Sequence, residues 1–205
     1  ISDFDVSQEI IKHFLKRLGG SSINYSKAII GVPTNLTEVE RKSVEDAVMG
    51  TGVHQALLID EPLAAALGAR LPIHEPTANM IVDIGGGTTE IAIISMGGTV
   101  TSKSLKIAGD KINDDIMRFI RDEFRLIVGE PTAEELKINI GSAIPLDQKL
   151  EMAIRGRDLA TGLPKEVTVK DSQIRAAILR SLKTIVEAVK EVIETAPPEL
   201  TGDIL

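Results

Sequence analysis

The sequence contains no cysteine, no tryptophan and a single tyrosine among its 205 residues. Without cysteine the chain has no disulfide, no thiolate metal site and no cysteine nucleophile, a composition that fits a reducing cytosol. An apolar stretch without a charged residue runs from Ile91 to Ser102 and contains two glycines. This stretch is well short of the ~18 apolar residues that a membrane-spanning helix needs.

The chain also lacks an excess of positive charge. It has 23 basic and 30 acidic residues, a net charge of −7, which argues against binding to a nucleic-acid backbone. Its 43% apolar and 26% charged content is that of a globular protein. The length indicates one large domain or two small ones. Because the first residue is not methionine, we expect a piece of a longer chain.

The first 70 residues alternate between helical and strand patterns. Thr37 and Glu40 have the spacing of a capping box, which predicts that a helix begins there and continues to about Met49. Strands that alternate with helices indicate an α/β layer with mostly parallel strands. The other predicted elements are an amphipathic helix over 8–18, strands over 28–33 and 56–59, and a helix over 62–69.

The second part of the chain has a different pattern. Three consecutive apolar segments with short connections predict an antiparallel meander. The change occurs near His74 to Pro76, which predicts a domain boundary there. The predicted elements are strands over 80–84, 91–94 and 100–107, helices over 110–125 and 132–141 (the second with a capping box from Thr132 to Glu135), two polar strands within 146–170, and a helix over 172–195.

The strongest candidate for chemistry is the segment from Asp83 to Glu90, Asp-Ile-Gly-Gly-Gly-Thr-Thr-Glu. Consecutive glycines let a backbone approach a ligand closely and direct several amides into one concavity, which suits a phosphate. Asp83, at the end of an apolar strand, can hold a magnesium ion through its water shell. The alternative for the loop is an ordinary glycine-rich hairpin turn.

Glu61 is the second candidate. It follows a predicted strand and precedes the helix that Pro62 can initiate, a position where carboxylates line clefts in α/β sheets. A carboxylate at this position can orient an attacking water molecule. The alternative is that Asp60 and Glu61 stabilise the helix dipole.

These segments resemble the MreB family of bacterial actin-like, rod-shape-determining proteins over essentially the whole chain. The glycine loop alone fits any actin, sugar kinase or heat-shock chaperone ATPase, whereas the segment from Arg155 to Pro164 makes the resemblance specific. The other matching segments are 30–33, 60–66, 134–138 and 197–200. The resemblance implies an α/β, actin-like (ribonuclease H-like) ATPase fold in an incomplete chain.

The resemblance also implies roles for individual residues. Glu61 and Thr88 would position the hydrolytic water, and Asp83 would lie near Mg2+. The implied nucleotide contacts are Gly85, Gly86, Gly87 and Thr88 for the phosphates of ATP, and Glu134, Glu135, Leu136 and Lys137 for the nucleoside. For Glu135 and Lys137 the alternative is helix capping and a solvated helix face.

The resemblance further implies the domain organisation. Residues 1–76 would be part of the first large subdomain (IA-like). Residues 77–205 would be the second large subdomain (IIA-like) with a small inserted subdomain at about 110–170 (IIB-like). The family's first phosphate loop and its adenosine loop would lie outside this chain, so we expect weak or no ATP binding by these 205 residues alone.

By resemblance, the whole protein is a cytoskeletal ATPase of the cytoplasm. Its partners would be further copies of itself in filaments, the inner face of the plasma membrane and the cell-wall elongation machinery that makes peptidoglycan, with no nucleic acid. Ile23 and Tyr25 are the candidate membrane contacts, and the alternative is that both fold back onto the domain. The competing functions are a small-molecule kinase or a chaperone-type ATPase of the same superfold.

Overall fold

The structure is a computed structural model that describes residues 4–19 and 25–204. Contacts divide the chain into two compact units. Unit 1 comprises residues 1–83, 90–104 and 195–205, and unit 2 comprises residues 84–89 and 105–194. This division by contacts runs through the glycine loop and not between residues 76 and 77. The subdomain assignment with a boundary at 76 and 77 stays a prediction about the family's organisation.

Unit 1 combines a parallel strand pair, a second sheet and three helices of two turns or more. Strands β1 and β2 pair in parallel with Val32 opposite Asp60, as the alternation of strands and helices predicts. Strands β3, β4 and β5 form a second sheet in that order. The elements in or mainly in unit 1 are α1 (Phe4–Gly19), β1 (Lys27–Val32), α2 (Glu38–Met49), β2 (Gln55–Asp60), α3 (Glu61–Gly68), β3 (Asn79–Ile84), β4 (Thr89–Ser95) and β5 (Gly98–Leu105).

Helix α2 begins as its sequence predicts. The Oγ1 atom of Thr37 accepts a hydrogen bond from the amide of Glu40, and the Glu40 carboxylate accepts one from the amide of Thr37. This reciprocal capping satisfies two amides that a helix N-terminus leaves without partners.

The apolar residues of α1, whose spacing predicts an amphipathic helix, are not equally covered. Ile11 and Leu15 pack against the cluster formed by Val48, Val53 and Ala56. Ile10, Phe14 and Leu18 are instead exposed, at 51%, 58% and 80%. The spacing of apolar residues therefore predicts the helix, but it does not decide which of these side chains pack against the rest of unit 1.

The core of unit 1 lies on β4. Four consecutive residues of this strand, 91–94, are completely buried. Ala92 and Ile94 pack with Ala66 of α3 and with Ile73. A strand that is buried on both faces reads as a continuous apolar run and not as an alternating one.

Unit 2 is built around a second core of buried aliphatic residues. Strands β6, β7 and β8 form an antiparallel sheet in that order. The elements in or mainly in unit 2 are α4 (Gly109–Phe124), β6 (Leu126–Ile127), α5 (Glu130–Ile140), β7 (Glu151–Asp158), β8 (Pro164–Lys170) and α6 (Asp171–Thr195), and the short α7 (Pro198–Thr201) returns to unit 1. The core includes Ile116 and Ile120 of α4, Leu136 of α5 and Ile174 of α6.

The start of α5 differs from its prediction. Its N-cap is Gly129, with a proline in the first turn, so Thr132 and Glu135 lie inside the helix and do not form a capping box. Proline is favoured in a first helical turn because its missing N–H would have no helical partner there, and this preference moves the start upstream.

Asp158 holds the turn between β7 and β8. Its Oδ1 atom accepts hydrogen bonds from the amides of Ala160 and Thr161, and its Oδ2 atom accepts one from Nζ of Lys165 at 2.9 Å. These bonds, led by that from Lys165, hold the pKa of the Asp158 carboxyl far below its usual range.

Among the described helices, none has the length and apolar character needed to cross a membrane.

Candidate functional site

The glycine loop joins β3 to β4 and packs on the first turn of α4. The amide of Gly85 donates to the carbonyl oxygen of Thr88 at 3.0 Å, which closes the loop. The amide of Gly109 donates to the carbonyl oxygen of Gly85 at 3.0 Å, and the amide of Asp110 donates to the carbonyl oxygen of Gly86 at 2.9 Å. The loop and the N-terminus of α4 are therefore one structural feature of unit 2.

Neighbouring atoms lie close to Gly86 and Gly109. A Cβ atom on Gly86 would lie 3.3 Å from Oδ1 of Asp110, and one on Gly109 would lie 3.3 Å from both the carbonyl oxygen of Gly85 and Nζ of Lys137. Gly87 has open space around its Cα atom. Residues 85–87 are exposed, so a ligand can approach the loop backbone.

Lys137 and Glu134 lie beside the start of α4. Nζ of Lys137 donates to Oε2 of Glu134 at 2.6 Å and to the carbonyl oxygen of Gly109 at 3.3 Å. The hydrogen bond from Lys137 and a second from Asn113 hold the pKa of the Glu134 carboxyl below its usual range. The predicted nucleoside residues Glu134 and Lys137 are thus brought next to the predicted phosphate loop.

Asn113 is a member of this group that the sequence interpretation missed. It is 2% exposed, and its Nδ2 atom donates to Oε2 of Glu134 at 2.7 Å. Its Oδ1 atom has no hydrogen-bond partner among the described residues. The only sequence signal was a polar residue beside Ile112 and Ile116, within the buried face of α4.

The two other residues of the predicted nucleoside segment lie elsewhere. Leu136 is completely buried in the core of unit 2, so its side chain supports α5 from the inside. Glu135 is exposed. Within this segment, the side chains of Glu134 and Lys137 alone are bonded to the group around Gly109.

Unit 1 carries a separate group of carboxylates. Glu61 is the first residue of α3, and its Cγ atom would lie 3.4 Å from a Cβ atom on Gly31 of the neighbouring strand. Burial of the Glu61 carboxyl raises its pKa above the usual range, and the carboxylates of Glu90 and Asp83 raise it further. A raised pKa is typical of a carboxyl group that works as an acid or a base.

Asp60 has a partner of its own. The carboxylate of Asp60 forms an ion pair with Arg41 of α2 at 2.8 Å, and Asp60 makes no side-chain cap to α3. Glu61 is therefore the residue of this pair whose carboxyl faces other acids.

Asp83 is partly buried at the end of β3. In the described ranges, no group of three or more histidine, aspartate or glutamate residues is placed to hold a metal ion. A single carboxylate fits a magnesium ion that keeps most of its water ligands and is held mainly by substrate phosphates. Glu61 and Asp83 belong to unit 1, and Thr88 belongs to unit 2.

The structure describes Tyr25, whereas Ile23, the other predicted membrane contact, lies outside the described residues. Tyr25 is half-buried against Val48, Val53 and Ala56, and its hydroxyl donates to the carbonyl oxygen of Leu15 at 3.3 Å. The ring of Tyr25 therefore contributes to the packing of α1.

A family model described as MreB/Mbl protein matches residues 1–205. The chain is 43% identical to the cell shape-determining protein Mbl of Bacillus subtilis, over 100% of this chain and 62% of that protein. It is 42% identical to the cell shape-determining protein MreB of Escherichia coli, over 100% of this chain and 59% of that protein. The chain thus spans about 60% of the length of these relatives.

Solved structures agree with the sequence relatives. The crystal structure of MreB5 of Spiroplasma citri bound to ADP superposes with a TM-score of 0.93 at 37% identity, covering 99% of this chain and 61% of that one. The same protein bound to AMPPNP also gives 0.93. The MamK double helical filament gives 0.81 at 22% identity over 100% of this chain and 61% of that one, a likeness of fold alone.

Proposed function

Because the chain belongs to the MreB/Mbl family, we propose that it is the nucleotide-responsive part of an actin-like cytoskeletal ATPase that determines rod cell shape. The observation that carries this proposal is the match of the family model to the whole chain, glycine loop included. The names of the relatives favour a role in cell shape over a small-molecule kinase or a chaperone-type ATPase.

The proposed ligand is ATP with Mg2+. A relative with the same fold is described as bound to ADP and to AMPPNP, which supports a nucleotide at the glycine loop. Gly85, Gly86, Gly87 and Thr88 would hold phosphate oxygens, with the helix dipole of α4 favouring negative charge. Bound Mg2+ would neutralise phosphate charge, and Asp83 would hold it through water.

Glu134 and Lys137 are the proposed side-chain contacts to the nucleoside. Both are half-buried and hydrogen-bonded to each other, so their geometry is set before a ligand arrives. A carboxylate and an ammonium side by side can accept from and donate to neighbouring hydroxyl groups. Preorganised contacts of this kind lower the entropy that binding must lose.

Glu61 is the proposed water-orienting residue, with Thr88 as its partner in hydrolysis. The raised pKa brings Glu61 closer to the range in which a carboxylate accepts a proton from water. Its position at the end of β2 is where α/β sheets place reactive groups.

Polymerisation tests the proposed function directly. A family-length protein that contains this chain should form filaments in electron micrographs with ATP, and ATP hydrolysis should accompany assembly. A nucleotide-dependent filament supports the cytoskeletal function. Sugar-dependent release of ADP without filaments would support the kinase alternative and overturn the proposal.

The proposed partners are other copies of the chain, the inner face of the plasma membrane and the cell-wall elongation machinery. With a net charge of −7, membrane attachment must come from local apolar insertion. Burying one isoleucine contributes about 1.5–3 kcal/mol, which is a weak anchor for a monomer. A filament repeats the anchor and gains avidity.

The membrane contact can be tested by co-sedimentation of filaments with liposomes. Replacing both Ile23 and Tyr25 by serine should release filaments from the lipid, but Tyr25→Ser also removes packing around α1. Ile23→Ser is therefore the sharper variant, with Ile144→Ser at an exposed position of unit 2 as its control. If Ile23→Ser filaments still sediment with liposomes as the parent does, Ile23 is not the anchor.

A further inference from the structure

Glu90 is a charged residue in the core of unit 1. It is 1% exposed, and completely buried isoleucine and alanine side chains follow it along β4. Burying a carboxylate is costly unless hydrogen bonds replace its water. Oε1 accepts from the hydroxyl of Ser104 at 2.5 Å, and Oε2 accepts from the hydroxyl of Thr34 at 2.9 Å and from the Thr34 amide at 3.4 Å.

The bond to Thr34 leads directly to the residues around Glu61. Thr34 lies two residues after the end of β1, and the last residue of β1, Val32, is paired with Asp60. One residue earlier, Gly31 lies against the side chain of Glu61. Glu90 therefore holds Thr34 in the loop that directly follows the end of β1, and this end of β1 lies against Glu61.

We propose that Glu90 is a positioning residue for ATP hydrolysis: through Thr34 it fixes the end of β1, and so the backbone against which Glu61 packs. The inference rests on the proposed function of Glu61. An aliphatic residue would pack in the core of β4 at a lower cost, but it would leave Thr34 without this acceptor. A hydrolytic residue needs this support because a displacement of about 1 Å can reduce a rate about 10²-fold.

Electrostatics adds a second link between the two carboxylates. After burial, the Glu90 carboxylate is the next largest cause of the raised pKa of Glu61, followed by Asp83. The adjacent Asp60 is paired with Arg41. Removing the charge of Glu90 with Glu90→Gln should therefore lower the pKa of Glu61.

The test compares Glu90→Gln and Thr34→Val with Thr101→Val in a family-length protein that contains this chain. Thr101 offers the same chemical change on β5, where its hydroxyl is bonded to Thr195 and not to Glu90. Glu90→Gln and Thr34→Val should reduce kcat about 10- to 100-fold with ATP affinity within about 2-fold of the parent. Thr101→Val should leave both unchanged.

Two further readouts separate positioning from loss of the fold. Amide hydrogen exchange over residues 31–37 should speed up in Glu90→Gln and Thr34→Val while exchange in β4 stays slow. In Glu90→Gln the acidic limb of the pH–rate profile should move to lower pH, whereas a merely structural role would reduce the rate equally at every pH.

The results of these experiments distinguish a failure of the positioning role of Glu90 from a failure of the proposed ATPase function. Suppose that the parent assembles and hydrolyses ATP. The positioning role alone is then overturned if Glu90→Gln keeps the parental kcat, or if Thr34→Val and Thr101→Val are equally impaired. If Glu90→Gln does not fold, the pair of threonine variants decides. A parent without any ATP hydrolysis would overturn both the positioning role and the hydrolytic function.

Discussion

The amide of Asp110 donates to the carbonyl oxygen of Gly86 at 2.9 Å and ties the first turn of α4 to the glycine loop. The same contact brings the Asp110 carboxylate within 3.3 Å of the place where a Cβ atom on Gly86 would stand. The three loop glycines are not among the glycines with positive φ in the described chain, which are Gly52, Gly97 and Gly162. A side chain on Gly86 would therefore require the Asp110 carboxylate to move, whereas the backbone conformation of Gly86 does not itself demand glycine.

In a family-length protein that contains this chain, Gly86→Val should abolish ATP binding. The branched side chain would push against Asp110 and cover the backbone that is proposed to meet the phosphates. Isothermal titration calorimetry with ATP measures the loss. Gly68→Val is the matched control, because nothing lies within 4 Å of a Cβ atom there. Unchanged ATP affinity in Gly86→Val would favour the ordinary hairpin turn.

In a family-length protein that contains this chain, Glu61→Ala should slow ATP hydrolysis about 10²–10⁴-fold and leave nucleotide affinity nearly unchanged, because this side chain orients water and does not hold phosphate. Steady-state release of phosphate and a separate binding titration measure the two effects. Glu75→Ala, at an exposed loop position, is the control. A Glu61→Ala variant with parental turnover would remove this residue from the mechanism.

The pH dependence of hydrolysis should reflect the raised pKa of Glu61. The carboxylate must be ionised to accept a hydrogen bond from water, so activity falls when pH drops through its pKa. Because burial and then the Glu90 and Asp83 carboxylates raise that pKa, the loss should occur at higher pH than for an ordinary glutamate. If the rate does not fall at a pH above the usual pKa range of glutamate, Glu61 is not the residue that orients the water.

In a family-length protein that contains this chain, Asn113→Leu should weaken ATP binding about 3- to 10-fold, the equivalent of one hydrogen bond that holds Glu134. The unfolding temperature should change little, since the substitution also removes the buried Oδ1 atom that has no partner among the described residues. Asn139→Leu, on the exposed side of α5, is the control. Equal ATP affinity for Asn113→Leu and the parent would show that Glu134 is held well enough by Lys137.

Asp158→Asn should lower the unfolding temperature at neutral pH by a few degrees. The pKa of Asp158 is depressed in the folded state, so its ionised form adds stability at neutral pH, and this contribution is lost as pH falls below the usual aspartate range. Thermal unfolding followed from neutral pH down to well below the usual aspartate range should therefore show a smaller pH dependence in the variant. Asp122→Asn, at an exposed site on α4, should keep the parental dependence.

Features with a local cause could be predicted from the sequence. The capping box of α2 needs only Thr37 and Glu40 at a spacing of three, and the structure forms both of its bonds. The parallel pairing of β1 with β2 follows from the alternation of strands and helices. The glycine loop and the family resemblance likewise depend on residue order alone, and the match of the family model to residues 1–205 confirms the resemblance.

Features that depend on neighbours distant in sequence were decided by the tertiary structure. Apolar spacing in α1 did not show that Ile11 would be covered and Phe14 exposed, because covering depends on where α2 and β2 lie. The sequence assigns no individual role to Asn113 or Glu90, because their partners, Glu134 and Thr34, lie 21 and 56 residues away. A buried polar group is stable only where folding brings donors or acceptors to it, and that condition cannot be read from its immediate neighbours in the chain.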